Sequence, residues 1–355
     1  MASLYRYKRP AICSFVALCI IAVFAIMSSS GRLEKVSVIR PAKSHSSGTV
    51  KEEFSLADLF QTRDIDNDLD NSDGEYDEDD APKAINKHLN PQSRIVYNRV
   101  GKCGSRTVLE ILRNLVKRNG FDLYSSQINN VTHLSLIGQV ELVNIISSLQ
   151  PPFIYQRHFH FIDFPKFGAI EPVYINIIRD PVDRFISQYY FKRFGDGISN
   201  RRFYKGPPEN LNMTINECVL SNDPECRSSK LFYIIPFFCG HDERCRTASR
   251  WSLEKAISNL EEKFLVVGFI EDLEASLQVL EILLPQMFEG AAEIYKLPAA
   301  ASKTARTSTK HKVAATEEVR NILKSRLPYE YEFYDFAKKK FEVIKGQLKI
   351  VSPKR

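Results

Sequence analysis

Residues 94–120 read RIVYNRVGKCGSRTVLEILRNLVKRNG, and this stretch decides the fold. Arg94–Val100 reads as a strand. Val108, Ile111, Leu112, Leu115 and Val116 recur at helical spacing, and Gly120 is a natural stop. Between them lies Gly101-Lys102-Cys103-Gly104-Ser105-Arg106-Thr107. A glycine loop that opens a helix holds anions, because the first turn has free N–H groups and the positive end of the helix dipole. Gly101 and Gly104 let backbone come close to a ligand. Lys102 adds a cation, and Ser105 and Thr107 add hydroxyls. The loop is not a nucleotide-triphosphate P-loop, which needs its lysine after the second glycine and directly before Ser or Thr.

Further along, Val173–Ile178 (VYINII) reads as a buried parallel strand. Asp180 then offers an N-cap and Pro181 a first helical position. Arg179 falls at the carboxyl end of that strand, where ligands of open α/β sheets bind. Ser187 lies one to two turns into the next helix, on a face that can look back at the same place. Arginine and serine together suit a phosphate. Phe153–Arg157 and Phe264–Val267 are further strands, and 273–284, 317–327 and 329–345 are helical. Strands alternating with helices predict an α/β fold, a parallel sheet flanked by helices.

The net charge of +6 conceals an asymmetry. Residues 1–90 hold 11 Lys and Arg against 14 Asp and Glu, whereas 91–355 hold 38 against 29. A basic domain behind an acidic segment points to an anionic partner. Residues 1–10 precede an unbroken apolar run at 11–27, with Arg6, Lys8 and Arg9 before it. This reads as a cytosolic tail and a transmembrane signal anchor, with the remainder lumenal. The rival reading of the run is a cleaved signal peptide. Residues 28–90 read as an acidic lumenal stem, since ten of the seventeen residues from Asp64 to Asp80 are acidic. Residues 91–355 are the lumenal domain. Asn130 and Asn212 head two sequons, credible glycan sites in a lumenal domain.

Cys218, Cys226, Cys239 and Cys245 cluster at spacings poorly matched to zinc. In a secretory setting they read as two disulfides; short loops favour Cys218–Cys226 and Cys239–Cys245, with three pairings open. No convincing metal-ligand set is present.

The chain resembles the uronosyl 2-O-sulfotransferase family of glycosaminoglycan synthesis, on its dermatan/chondroitin uronyl and Pipe branch. The resemblance is carried by YNRVGKCGSRT (97–107), RHFHF (157–161), PVYINIIRDPVDRF (172–185), FKRFGD (191–196), FYIIPFFCG (232–240) and YEYEFYDF (329–336), and covers about 94–345. It implies a P-loop-like fold that uses 3'-phosphoadenosine 5'-phosphosulfate (PAPS), without a metal. It implies that Lys102 contacts the transferring sulfate. Gly104, Ser105, Arg106 and Thr107 would form the 5'-phosphosulfate loop, and Arg179 and Ser187 the 3'-phosphate clamp. His158 falls at the catalytic base, with a pKa expected near 7. The heparan sulfate enzyme carries a histidine where this chain has Gln156; His160 instead follows the uronyl branch and would orient His158, bind substrate or pack. The same analogy favours the two local disulfides.

The function expected is transfer of a sulfuryl group from PAPS to the 2-O position of a hexuronic acid, by in-line attack with His158 as base. Two rivals are Pipe-like sulfation of glycans on secreted matrix glycoproteins and a catalytically silent glycan-binding protein. Arg99, Lys192, Arg193, Arg201 and Arg202 are candidates for sugar carboxylates and sulfates. The basic, hydroxyl-rich segment 302–312 reads as a loop that closes over the nucleotide or contacts the glycan. The partners implied are an acidic glycan or glycoprotein, one N-terminal span in the Golgi membrane, and another copy of the chain in a homo-oligomer. No nucleic acid is implied.

Overall fold

The computed structural model describes residues 36–41, 51–54, 93–128, 131–196, 203–298 and 309–351. The apolar run at 11–27, most of the 28–90 stretch, Asn130, Arg201, Arg202 and residues 299–308 lie outside the described residues. Among the described residues no helix is long and apolar enough to cross a membrane.

A seven-stranded sheet forms the centre, in the order β2-β1-β4-β5-β3-β6-β7. The strands are β1 (Val36–Ile39), β2 (Lys51–Phe54), β3 (Arg94–Tyr97), β4 (Asp122–Ser126), β5 (Phe153–Gln156), β6 (Val173–Ile178) and β7 (Phe264–Phe269). From β4 to β7 all pairings are parallel. β1 lies antiparallel against β4, and β2 antiparallel against β1. The central strands β5, β3 and β6 are buried almost throughout, as a parallel sheet covered on both faces requires.

The boundary expected at residue 91 does not mark the start of the sheet. Val36 and Val38 turn inward while Ser37 and Ile39 are only partly covered. Two inward valines are too few for a composition reading dominated by the acidic run to register.

Helix α1 (Ser105–Asn119) follows β3 and buries Val108, Leu109, Ile111, Leu112, Leu115 and Val116. Each such side chain contributes about 1.5–3 kcal/mol when fully covered. Gly120 ends it in the left-handed conformation. α2 (Leu136–Ser148) begins on a Ser135 cap. α3 (Pro181–Phe194) begins as its sequence dictates: the Asp180 carboxylate accepts the N–H of Asp183 at 2.9 Å, with Pro181 in first position. α4 (Ile215–Leu220) carries a Thr214–Glu217 capping box. α5 (Ile235–Cys239), α6 (Arg250–Lys263), α7 (Leu273–Leu283), α8 (Glu317–Ser325) and α9 (Pro328–Gln347) complete the frame used below.

Disulfides join Cys218 to Cys226 and Cys239 to Cys245. Cys103 is free and buried. Asn212, which heads one of the two sequons, is exposed.

Candidate functional site

Parallel order places three carboxyl ends side by side. β3 leads into the Gly101–Thr107 loop, β5 into His158, and β6 into Arg179 and α3. The site therefore lies where three neighbouring strands release their chains.

Two buried asparagines hold these ends together. Asn176 Nδ2 donates to Asn98 O (2.8 Å) and to Asn98 Oδ1 (2.9 Å). Asn98 Nδ2 in turn donates to Phe237 O (2.8 Å) and Phe159 O (3.4 Å). One amide pair thus ties the β3 and β6 exits to the segment that carries His158. Sequence reasoning passes over both residues: Asn98 just after β3 also reads as a turn, and Asn176 is hidden within an otherwise apolar strand.

In the loop, Gly104 caps α1 at φ 73°. A side chain there would meet both an unfavoured backbone and the Cδ1 of Ile270. Lys102 also takes a left-handed conformation, φ 67°. For lysine this costs about 1–3 kcal/mol and marks a position held by its surroundings. The Ser105 and Arg106 N–H groups fall outside the ladder of α1 itself, as in any first turn, and no acidic residue occupies that turn.

Lys102 Nζ sits 3.9 Å over the Phe191 ring and donates to Thr309 Oγ1 at 3.3 Å. Ser187 Oγ lies 3.4 Å from the same Thr309 hydroxyl. One hydroxyl thus touches both the loop lysine and the α3 serine. Burial, then the charges of Arg106 and Arg179, lower the Lys102 pKa to about 8, against the pull of Asp196. Arg179 is half-buried, and its Nε, closed off from solvent, has no hydrogen-bond partner among the described residues. Lys312, from the same segment as Thr309, feels Arg179 as a repelling charge. Of the 302–312 segment, the described part therefore lies against Lys102, Ser187 and Arg179.

His158 Nδ1 lies 2.7 Å from the carbonyl oxygen of Arg99. A carbonyl only accepts, so Nδ1 carries the hydrogen and Nε2 keeps its lone pair. Burial and then the Arg99 charge lower its pKa to about 3, opposed by that hydrogen bond. This departs from the value near 7 expected of the base. Burial is the main reason, with the adjacent Arg99 charge adding to it. Arg99 itself is buried, which lowers its pKa to about 10.

The remaining candidates divide. Arg106 forms an ion pair with the buried Asp196, so its side chain is engaged while its backbone belongs to the loop. Arg193 is not placed for a sugar. It is buried, pairs with Glu225 at 2.8 Å and packs between the Tyr189 and Tyr204 rings, 3.6 and 4.4 Å away. Lys192 is half-buried, its pKa lowered by burial and by Arg184 and held up by Glu225. Thr107 is buried in the first turn of α1.

His160 packs away from this chemistry. Its ring contacts His133, His241 and Phe237, with centroids 5.3–5.7 Å apart. His241 Nδ1 accepts the N–H of Leu134, and its Nε2 lies 3.1 Å from His160 O. That arrangement fits only the neutral ring. No three His, Cys, Asp or Glu side chains among the described residues are grouped as metal ligands. Burial first, then the neighbouring histidines, lower the pKa of His160 to about 3; burial and His133 lower that of His241 to about 4. Both values lie below the unfolded 6.5, so their stabilisation is whole above pH 6.5 and declines as pH falls towards 4 and 3. Between pH 7 and pH 5 the unfolding free energy is expected to drop by about 2 kcal/mol per histidine. Urea unfolding at the two pH values measures this, and a flat profile contradicts it.

Comparison with known proteins gives a consistent result. The model of the sulfotransferase family matches residues 88–337. The chain is similar to the uronyl 2-sulfotransferases of Mus musculus and Homo sapiens. Each is 45% identical over 278 residues, covering 77% of this chain and 68% of the relative. It is also similar to heparan sulfate 2-O-sulfotransferase 1 of Xenopus laevis, 36% identical over 275 residues, covering 73% of this chain and 76% of the relative.

Proposed function

The chain belongs to the sulfotransferase family as a glycan 2-O-sulfotransferase, and on that premise we propose that it moves the sulfuryl group of PAPS to the 2-hydroxyl of a hexuronic acid in a glycosaminoglycan, with His158 as base. The observation that carries this reading is the convergence at the strand ends: a single Thr309 hydroxyl bridges Lys102 and Ser187, beside a histidine whose Nε2 is left to accept a proton.

In this reading the first turn of α1 and Lys102 hold the phosphosulfate end of the donor, and Arg179 and Ser187 hold its 3'-phosphate. His158 Nε2 takes the proton of the sugar hydroxyl as the new sugar O–S bond forms. The bond from sulfur to the bridging oxygen breaks in line, and 3'-phosphoadenosine 5'-phosphate leaves. Lys102 and the helix N-terminus stabilise the charge that grows on the bridging oxygen. The negative donor also offsets the field of Arg99, which raises the proton affinity of His158 when it is needed.

Gln156 and His160 favour a uronyl-type acceptor over heparan. The apolar run at 11–27 after Arg6, Lys8 and Arg9 supports a single-pass type II protein of the Golgi membrane with this site in the lumen. Incubation with sulfur-labelled PAPS and a panel of dermatan, chondroitin, heparan and secreted matrix glycoproteins tests the acceptor. Label is expected on the uronic acid of dermatan or chondroitin. Label confined to matrix glycoproteins would establish the Pipe-like alternative instead.

A further inference from the structure

Arg184 takes no part in the chemistry described so far, yet it is 1% exposed and carries a full charge beneath the loop. Its guanidinium stacks 4.2 Å over the Tyr233 ring. The Tyr233 hydroxyl lies against Gly101, 2.8 Å from where a side chain at Gly101 would begin. The Tyr233 side chain therefore links the guanidinium, over its ring, to the loop backbone, at its hydroxyl. Nη1 donates to Gln188 Oε1 at 2.5 Å, while Nε and Nη2 have no hydrogen-bond partner among the described residues.

The charge balance around Arg184 is lopsided. Arg179 repels it, and Glu330 is the carboxylate that acts on it. Glu330 is fully buried and already accepts the N–H groups of Tyr233, Ile234 and Ile235. Its oxygens are engaged by backbone, and the Nε and Nη2 of Arg184 reach no carboxylate among the described residues. A buried cation in this state is costly to the folded protein. Arg184 also stands three residues before Ser187 in α3, and so shares its face of the helix. Arg184 acts electrostatically on Cys103 in the loop and on Arg179 at the facing strand end, and Tyr233 joins it to Gly101.

We propose that Arg184 is a positioning residue for the sulfuryl donor: through the Tyr233 ring it braces the Gly101–Cys103 turn, and beneath that turn it holds a positive charge that only a bound anion balances. The proposal rests on the donor reading above. It separates Arg184 from an ordinary packing residue, because a charge kept for a ligand destabilises the protein when the ligand is absent.

The test is calorimetric binding of 3'-phosphoadenosine 5'-phosphate to the detergent-solubilised full chain, alongside its melting temperature without nucleotide. Arg184→Gln is expected to weaken nucleotide binding by about tenfold or more, the worth of a hydrogen bond or field from a charged group. It is expected to raise the donor KM and leave the acceptor KM in place. The nucleotide-free melting temperature is expected to stay level or rise. Arg184→Lys, which keeps the charge, should restore most of the affinity. Unchanged affinity in Arg184→Gln, or a lysine variant as weak as glutamine, overturns the proposal. Should Arg184→Gln not fold, Tyr233→Leu decides: without the ring that joins Arg184 to Gly101, nucleotide binding should weaken about tenfold, and unchanged binding overturns the proposal. If the unaltered protein itself shows no affinity for the nucleotide, the donor reading has failed first.

Discussion

His158→Ala is expected to lower kcat by about 10²–10⁴, the range a positioned general base supplies, while nucleotide affinity stays close to that of the unaltered protein. The separation follows from position. His158 leaves the end of β5, whereas the loop, Arg179 and Ser187 leave β3 and β6. Its hydrogen bond is to a backbone carbonyl, that of Arg99, so truncation strands one acceptor without touching a donor-binding side chain. A pH profile sharpens the test. The base works only when neutral, and its pKa is held down to about 3 by burial and Arg99. With donor absent it is therefore neutral throughout the secretory range. The acid limb of kcat/KM for the free enzyme should then fall well below pH 6. A limb at 6.5 would show that neither burial nor Arg99 holds the His158 pKa down, and full activity in the alanine variant would remove it as base.

Lys102→Ala carries the second large effect. One preorganised donor aimed at developing charge is worth about 10²–10³ in rate, and Lys102 is held over Phe191 in a left-handed backbone that few side chains adopt. Because burial, Arg106 and Arg179 lower its pKa to about 8, part of the population is neutral at pH 8. A negative donor restores the charge, so nucleotide binding at pH 8 should take up protons. The measured binding enthalpy should then vary with the ionisation enthalpy of the buffer. That dependence should vanish in the alanine variant along with the rate. A near-normal rate would mean that the loop does not hold the sulfate.

Much of this was legible in the chain itself, for reasons that differ by element. β3, α1, β6 and α3 announce themselves because a covered parallel strand must be apolar throughout and because Gly120, Asp180 and Pro181 mark their ends. α2 was not legible. Its sequence LIGQVELVNIISS spreads apolar residues around the helix, so no stripe stands out; Leu136, Ile137 and Val140 remain exposed. β4 escaped because DLYSS has little apolar character and owes its place to neighbours on both sides. Within the site, the loop lysine and the α3 serine follow from local pattern. The proximity of Thr309 to both does not, since 207 and 122 residues separate them in sequence. Nor does the demotion of Arg193: a charged residue late in a helix reads as exposed until Glu225 and two tyrosine rings are seen to enclose it.

The short strand Val36–Ile39 has a practical bearing on how a soluble form is made. It covers the outer flank of Asp122–Ser126 in the order Ser126, Ser125, Tyr124, Leu123, and Arg40 reaches Asp122 at 3.5 Å. A cut placed after the acidic run, the natural choice from composition, would discard that cover and leave a bare row of amide and carbonyl groups on a flat rim. Two such rims from different molecules would pair with each other, and the product would clump for want of four residues far from any chemistry.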